Sequence, residues 1–188
     1  ETVFEDSRHG YRPERNQHTC VDELGRTIQQ KRVSHVVEAD IQSFFDTVNQ
    51  EWMIKFLQHR IGDPRMIRLI WRMLKGGILE DGLVEATEAG TPQGSILSPL
   101  LSNIYLHSGL DLWFSHKVRK QCRGEAYSCR FADDFLAGFQ YRNDANACLQ
   151  QLPERLGRFE LKLAAEKTRG IEFGRFARAV RLSGAVDV

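Results

Sequence analysis

The sequence lacks several patterns that would assign it to a familiar class. Its four cysteines form no C-x-x-C pair and its six histidines form no H-x-x-x-H pair, so neither a zinc nor a disulfide framework is indicated. No apolar run reaches membrane-spanning length, and no repeat or low-complexity stretch occurs. A net charge of +1 lacks the strong basic field of many nucleic-acid-binding domains. We expect a cytoplasmic protein with reduced thiols and no membrane partner.

The residues that are present indicate one mixed α and β domain. Hydrophobic residues make up 41% and charged residues 27% of 188 positions, which suits a folded domain. Apolar spacings of three and four predict a helix in RPERNQHTCVDELGRTIQQ, and SHVVEAD predicts a short strand that ends at Asp40. Two further helices are predicted, one capped by Asn49 and one by Asp63 with Pro64 in its first turn, the second ending at a Gly-Gly pair.

The second half of the chain continues this alternation. The Asp81-Gly82 dipeptide predicts a hairpin, and a long helix is expected with Ser95 as its N-cap. EAYSCRFADDFLAGFQY predicts two strands with an acidic pair at the turn. NDANACLQQLPERLGRFEL predicts a helix interrupted at Pro153, and GIEFG predicts a last short strand.

The stretch CRFADDFLAGF places Asp133 and Asp134 side by side in a run that otherwise indicates buried sheet. A charge in an apolar setting changes its protonation state or finds a partner, and two adjacent carboxylates push each other's pKa apart. Either the pair lies in a solvated hairpin turn, where Asp is common, or it faces a cation that the sequence does not encode.

A cation site requires a further carboxylate, and Asp40 at the end of an apolar strand supplies one. An isolated Asp there would be interpreted as a helix cap or a strand-end turn residue. Two separate strand-associated acidic segments instead fit a two-metal site, in which hard oxygens hold two Mg²⁺ ions ~4 Å apart. We therefore expect Asp40 to converge with the Asp133 hairpin.

The segment AGTPQGSILSPLLSNIYL adds a third feature. Pro92 and Gly94 suit a turn, and Ser95 suits a helix cap, but neither explains Gln93. A Gly beside a long amide at a helix start lets backbone and side chain approach a flat or anionic ligand closely.

In this order, the acidic strand, the Pro-Gln-Gly helix start and the Asp-Asp hairpin resemble the reverse transcriptases. ADIQSFFD resembles their motif A, TPQGSILSPLLSNIYL their motif B, and FADD a Phe variant of the Tyr-x-Asp-Asp motif C. LKLAAEKTRGIEFG is similar to motif D of the group II intron-like bacterial branch, and HGYRPERNQHTCVDEL to the block before motif A. The resemblance covers roughly residues 4–176.

The resemblance implies an RNA-directed DNA polymerase, a nucleotidyltransferase that adds dNTPs to a primer 3′-hydroxyl with two Mg²⁺ ions, for which Mn²⁺ can substitute. It implies that Asp40, Asp133 and Asp134 are metal carboxylates, with the carbonyl of Ile41 as a further ligand. Lys167 matches the family's candidate acid for the leaving pyrophosphate.

Further positions are implied to bind substrate. Phe45 matches the steric-gate aromatic that excludes a nucleotide 2′-hydroxyl, although it also suits a core Phe. The remaining positions are the amides of Ser43, Phe44 and Phe45 for the triphosphate, Gln93 and Gly94 for the floor under the nucleotide, and Arg12, Arg15 and Arg130 for phosphates.

The resemblance also implies an α+β fold: a polymerase palm with a small antiparallel sheet backed by helices, plus partial fingers. Residues 1–32 would be a fingers-side helical block, 33–48 and 95–176 the palm, 49–94 an inserted fingers portion and 177–188 an irregular tail. The family's primer-grip and thumb segments have no counterpart in these residues, so we expect a fingers and palm fragment. The implied partners are an RNA template, a DNA primer, dNTPs and the intron RNA of a retroelement.

Three alternatives compete with this interpretation. The first is a catalytically incomplete palm that binds structured RNA as a maturase-type splicing cofactor, which loss of an acid would favour, whereas all three acids are present. The second is a nucleotide cyclase, whose family needs Gly-Gly before its acidic turn where this chain has Phe-Ala. The third is an inert remnant of a mobile element.

Overall fold

A four-stranded antiparallel sheet forms the centre of the molecule. The structure is a computed structural model that describes residues 9–12, 14–76, 78–80, 83–85, 90 and 97–173, with backbone alone for 78–80 and 83–85. The sheet order is β4-β5-β1-β6, where β1 is His35–Ala39, β4 Ala126–Phe131, β5 Asp134–Phe139 and β6 Arg169–Glu172. The strands β2 (Ile78–Glu80) and β3 (Leu83–Glu85) form a separate hairpin, as the sequence predicts.

The pairing register divides the sheet residues between two faces. Val37 lies opposite Ala137 and Ala39 opposite Phe135, and these small and aromatic residues join the buried core. The alternate pairs, including Val36 with Gly138, belong to the other face. Helix α7 (Arg142–Gly157) contacts β1, β5 and β6, while helix α1 (Gln17–Gln30) contacts β4. Helices thus back the sheet, as expected of a polymerase palm.

Local capping explains where the early helices begin. The Asn16 side chain caps α1 in a capping box with Thr19. After the short helix α2 (Phe44–Thr47), α3 (Gln50–Gln58) begins at the predicted cap Asn49, whose Oδ1 accepts from the Trp52 amide at 2.9 Å. Helix α4 (Pro64–Lys75) begins at Asp63 with Pro64 in its first turn and ends at Gly76, as predicted.

Two details of the later helices differ from expectation. Helix α5 (Ser98–Leu106) has Leu97 at its cap position, two residues beyond the predicted cap Ser95, which lies outside the described residues. The helix continues through π-helical segments His107–Asp111 and Phe114–Val118 to α6 (Arg119–Gln121). The predicted interruption of α7 was wrong, because the helix continues through Pro153. Burial of Leu152 and Leu156 against the sheet offsets the hydrogen bond that proline cannot donate.

The core is continuous from the sheet into the segment predicted to be fingers. Trp52 of α3 packs edge-on and Phe56 packs tilted against Phe159, with ring centroids 5.0 and 5.4 Å away. Tyr105 of α5 is fully buried beside Phe56 and donates a hydrogen bond to the Phe159 carbonyl at 2.8 Å. Helix α3 therefore shares the palm core, and the predicted domain boundaries stay a prediction. In the described part of the chain, no helix has the length and apolar character needed to cross a membrane.

Candidate active site

The strand register brings the two predicted acidic segments to one end of the sheet. Because Ala39 pairs with Phe135, continuing the same antiparallel register places Asp40 opposite Asp134 on the same face. Asp133 lies in the two-residue turn between β4 and β5, after Ala132, whose φ of 54° is left-handed. A tight hairpin and one strand pairing thus join residues far apart in sequence.

These residues line an open cleft of about 550 Å³. The described lining carries one ammonium group, that of Lys167, and five carboxylates. The carboxylates belong to Asp40, Asp46, Asp133, Asp134 and Glu166. An excess of negative charge on this scale repels an anionic ligand unless cations accompany it.

The electrostatics of the cleft centre on Asp134 and Lys167. Partial burial, then the charges of Asp133 and Asp40, raise the pKa of Asp134 above its ordinary value. Lys167 Nζ lies 2.6 Å from Asp40 Oδ2, and this hydrogen bond raises the pKa of the ammonium group. The predicted acid for pyrophosphate therefore lies in the cleft rather than on an unrelated surface.

The convergence of the three aspartates is looser than the sequence led us to expect. They share one cleft, yet among the described residues they do not gather within 4.8 Å of one another as a group of three. Mutual repulsion of the carboxylates and the attraction of Asp40 to Lys167 account for the separation.

The donor set fits a hard divalent cation. Carboxylate and carbonyl oxygens are the ligands that Mg²⁺ and Mn²⁺ prefer. The Ile41 residue lines the cleft, and the bridge to Leu163 does not use its carbonyl, because that bridge is made by the Gln42 amide and the Asp40 carbonyl. Asp40, Asp133, Asp134 and the Ile41 carbonyl could therefore hold such an ion.

A second feature of the cleft suits an anion. Ser43 has a left-handed backbone with φ 45°, and the helical turn α2 follows it. The backbone N–H groups of Ser43, Phe44 and Phe45 lie at the start of this turn, where no preceding helical turn supplies carbonyl acceptors. Successive amides in such a backbone form a concave anion-binding nest. Gly90 packs closely against the turn. A Cβ on Gly90 would lie 2.6 Å from the Phe45 carbonyl oxygen, so a larger residue would not fit there.

The adjacent phenylalanines have different environments. Phe44 is 2% exposed and packs edge-on against Tyr105, so its ring belongs to the core and only its amide is available to a ligand. Phe45 is half-buried and lines the cleft, with its ring centroid 5.4 Å from that of Phe44. The implied role of Phe44 is therefore limited to its backbone, while the Phe45 side chain is placed to contact a ligand.

Arg130 is not a phosphate contact, which corrects the sequence-based expectation. Its side chain is 1% exposed and donates to both carboxylate oxygens of Asp111, at 2.9 to 3.2 Å. It also donates to Asn103 Oδ1 and to the Ala132 carbonyl, and Asn103 in turn donates to the Gly10 carbonyl at 2.7 Å. We call Gly10, Asn103, Asp111 and Arg130 the hairpin brace, because they hold the turn that carries Asp133.

Sequence reasoning missed the brace. Gly10 packs so closely on the turn that a Cβ there would collide with the Ala132 amide nitrogen. Asp111 and Asn103 lie fully buried within apolar helical segments. A buried acid in such a segment needs a cationic partner, and that requirement is the signal that could have identified the Asp111 and Arg130 pair.

The other implied phosphate contacts lie elsewhere or outside the described residues. Arg12 is half-buried and does not line the cleft, and its charge acts on His9, whose pKa is lowered mainly by burial. Arg15 lies 3.6 Å from Glu23. Gln93 and Gly94 are outside the described part of the chain, so their role stays a prediction.

Comparison with known proteins connects this geometry to a family. The family model described as reverse transcriptase (RNA-dependent DNA polymerase) matches residues 2–176. The chain belongs to the reverse transcriptase family. This confirms the resemblance drawn from the acidic strand, the Pro-Gln-Gly segment and the Asp-Asp hairpin.

The relatives of this chain include a group II intron-encoded protein. The chain is 45% identical over 107 residues to the Group II intron-encoded protein LtrA of Lactococcus lactis subsp. cremoris, covering 57% of this chain and 18% of that protein. It is 34% identical over 168 residues to Protein YkfC of Escherichia coli, covering 72% of this chain and 43% of that protein. The chain therefore spans less than half the length of these relatives.

Solved structures agree with the palm fold of this reverse transcriptase. Telomerase from Candida albicans, solved with a fragment of telomeric RNA, matches with a TM-score of 0.69 and 11% identity over 92% of this chain and 32% of that one. Truncated apo telomerase from Candida tropicalis matches with a TM-score of 0.65 and 12% identity, over 89% and 36%. At these identities the likeness concerns the fold alone, and it confirms the α+β palm.

Proposed function

We propose that this chain is the catalytic core of an RNA-directed DNA polymerase. It would transfer dNTPs to a primer 3′-hydroxyl along an RNA template, within a longer protein of a group II intron-like retroelement. The observation that carries the proposal is the cleft itself, where five carboxylates lie beside the amides of Ser43, Phe44 and Phe45 at the start of a helical turn. Divalent cations would bind the carboxylates, and the triphosphate that they accompany would bind the amides. An anion alone or a cation alone would bind only one of these two groups.

Each residue of the cleft has a proposed task. Asp40, Asp133, Asp134 and the Ile41 carbonyl would hold two divalent cations, Mg²⁺ or Mn²⁺. When bound, these ions would lower the pKa of the primer hydroxyl and neutralise the triphosphate and its leaving pyrophosphate. The amides of Ser43 to Phe45 orient the triphosphate. The Phe45 ring limits space beside the sugar, and Gln93 with Gly94 forms the floor under the nucleotide.

Lys167 acts at two stages in this proposal. In the structure its ammonium group neutralises part of the charge of Asp40 through a 2.6 Å hydrogen bond. During the reaction this ammonium group would donate its proton to the leaving pyrophosphate. Its raised pKa keeps the group protonated until then.

The same family relationship suggests a second partner. The intron-encoded relative suggests that the protein to which this chain belongs binds intron RNA, as a maturase-type splicing cofactor would. The full set of three acids favours polymerisation as the activity of this core, with RNA binding as an accompanying property. A cytoplasmic location, where RNA and dNTPs are available, fits this role.

Primer extension tests the proposal. The purified chain is given an RNA template, an annealed DNA primer, dNTPs and Mg²⁺, and Mn²⁺ binding in the presence of a dNTP is followed in parallel by electron paramagnetic resonance. We expect extension and dNTP-dependent Mn²⁺ binding in the wild type, and loss of both in Asp133→Asn. Asp22→Asn, which changes an exposed acid of α1, is the matched control. Equal behaviour of Asp133→Asn and the wild type would contradict the proposal.

A further inference from the structure

A second cluster of potential metal ligands lies outside the acidic cleft. It consists of His9, Cys20 and Cys129, which are 1%, 8% and 7% exposed. One ligand atom from each lies within 4.8 Å of the others, and the two sulfur atoms are 3.0 Å apart. The three residues come from different segments: the N-terminal stretch before α1, α1 itself and β4. We call them the His-Cys cluster.

The hydrogen bonds of His9 leave one ring nitrogen available. Nε2 lies 2.9 Å from Glu23 Oε2, so it carries the proton and donates to that carboxylate. Nδ1 lies 3.3 Å from Thr19 Oγ1, whose own proton is donated to the Asn16 carbonyl at 2.8 Å. The Nδ1 lone pair therefore receives no proton from Thr19. A histidine whose second N–H is held by a carboxylate is the usual arrangement of a metal-binding histidine.

We propose that the His-Cys cluster binds a borderline or soft transition metal ion, with Zn²⁺ as the expected occupant. Two thiolates and one imidazole form a ligand set found in zinc proteins, with a fourth position left for water. Cys20 also lines a cleft of about 550 Å³ that reaches Asp40 and Asp134, from which water can fill that position. Tetrahedral Zn–S bonds of about 2.3 Å require sulfurs ~3.7 Å apart, so the thiols separate modestly on binding.

The position of the cluster indicates what the metal does. Cys129 immediately precedes Arg130 of the hairpin brace, and the His9 amide donates to the Arg130 carbonyl at 3.0 Å. A metal here fastens the segment before α1, and α1 itself, to the strand that leads into the Asp133 turn. The role is structural, distinct from the cations proposed for the acidic cleft, whose hard oxygen ligands select different ions.

Metal content and cobalt spectroscopy of the full chain test the proposal. The chain is purified with a phosphine reductant, given Zn²⁺ and desalted, and zinc is measured by mass spectrometry. We expect about one retained zinc per chain, lost in Cys129→Ser and kept in the control Cys122→Ser, whose half-buried thiol lies outside the cluster. Co²⁺ in place of Zn²⁺ should give thiolate-to-cobalt charge-transfer absorption, which carboxylate sites cannot produce.

Glu23→Gln provides a second variant that leaves all three ligands in place. Because Glu23 is 40% exposed, its replacement should leave the fold intact while weakening Zn²⁺ binding by about 10–100-fold. Asp22→Asn on the same helix should bind as the wild type does. The proposal is overturned if the reduced wild type retains no zinc, if Cys129→Ser retains as much as the wild type, or if the cobalt form lacks thiolate absorption. A Cys20 to Cys129 disulfide in place of metal under the same reducing conditions would also overturn it.

Discussion

Among the described residues that line the acidic cleft, Lys167 supplies the positive charge. Its ammonium group is 66% exposed and bonds Asp40, which is also a proposed metal ligand. The side chain therefore competes with any cation for Asp40. Because Lys167 lies on the turn after the Ile41 to Leu163 bridge, its position depends on a contact between residues far apart in sequence.

Replacing Lys167 should strengthen cation binding. Lys167→Gln removes the competing ammonium group and one positive charge, so we expect a lower Kd for Mn²⁺ in the absence of nucleotide, by up to about fivefold for an exposed charge pair. Lys162→Gln, which changes another exposed lysine of the same segment, is the control. Titration followed by electron paramagnetic resonance gives both values. Equal or weaker Mn²⁺ binding in Lys167→Gln would show that the ammonium group does not compete for the site.

Substitution of Phe44 and of Phe45 can distinguish a packing role in the core from a role in selecting the nucleotide sugar. Phe44→Ala should cost about 3–5 kcal/mol in the free energy of unfolding, because it empties a buried site. Phe45→Ala should cost less, because Phe45 is half-buried. If the Phe45 ring limits the sugar, kcat/KM for rNTPs relative to dNTPs should rise at least about tenfold in Phe45→Ala. An unchanged ratio in a folded, active Phe45→Ala enzyme would assign its ring to packing alone.

At the scale of elements, the β4 to β5 hairpin depends on the brace beneath it. Arg130 and Asp111 form a buried, bidentate pair, and the π-helical segment of the long helix positions Asp111. A π-helical turn shifts the register of the side chains that follow, which is why such turns recur where a helix must aim a particular residue. The brace thereby links the long helix to the turn that carries Asp133.

Removing Arg130 alone from the hairpin brace should destabilise the fold more than removing Arg130 and Asp111 together. Arg130→Met removes the bidentate guanidinium partner of the buried Asp111, so we expect a loss of about 3–5 kcal/mol in the free energy of unfolding, measured in urea. The double variant Arg130→Met with Asp111→Leu should recover a large part of this loss, because the buried carboxylate is removed together with its guanidinium partner. Arg26→Met, on an exposed position of α1, should change stability by less than about 0.5 kcal/mol. A double variant less stable than Arg130→Met would contradict this account.

Elements with local signals could be predicted from the sequence. Asn49 and Asp63 cap their helices, and alternation with an acidic turn identified the hairpin of Asp133, because each signal acts within a few residues. The interruption predicted at Pro153 was wrong because packing of the helix against the core determines whether it continues through a proline. Local propensity does not include packing. Leu97 at the start of α5 offers no side-chain cap to identify.

In the candidate site, too, features with a local sequence signal could be predicted and features that depend on long-range contacts could not. Asp40, Asp133 and Asp134 could be selected because a charge among apolar strand residues demands an explanation. The assignment of Arg130 to phosphate failed because an arginine in a strand gives no local indication of its burial against Asp111. The His-Cys cluster also escaped notice, since Cys20 and Cys129 are 109 positions apart and form no spacing motif.

At the scale of the whole molecule, the acidic cleft should couple metal binding to stability. The raised pKa of Asp134 means that its ionised form is disfavoured in the fold, so Asp134→Asn should raise the Tm of the metal-free protein at pH 7, by about 1–3 °C. This gain should shrink as the pH falls through the raised pKa, since the wild type is then protonated. Mg²⁺ should raise the Tm of the wild type and act less on Asp134→Asn.

The control for this coupling is Asp22→Asn, which should match the wild type in both Tm and response to Mg²⁺. Scanning calorimetry with and without Mg²⁺ provides the comparison. Identical Mg²⁺ responses in the wild type and Asp134→Asn would mean that the ion binds elsewhere.

The central claim is that Asp40, Ile41, Asp133 and Asp134 together hold divalent cations. Paramagnetic broadening by substoichiometric Mn²⁺ in the ¹⁵N-labelled chain tests it most directly, because the effect marks the residues nearest the ion. The account predicts that amide signals of 40–45 and 133–134 broaden first, that those of α7 persist, and that Asp133→Asn reduces the effect. Broadening centred on other acidic residues, or equal in the wild type and Asp133→Asn, would contradict the claim.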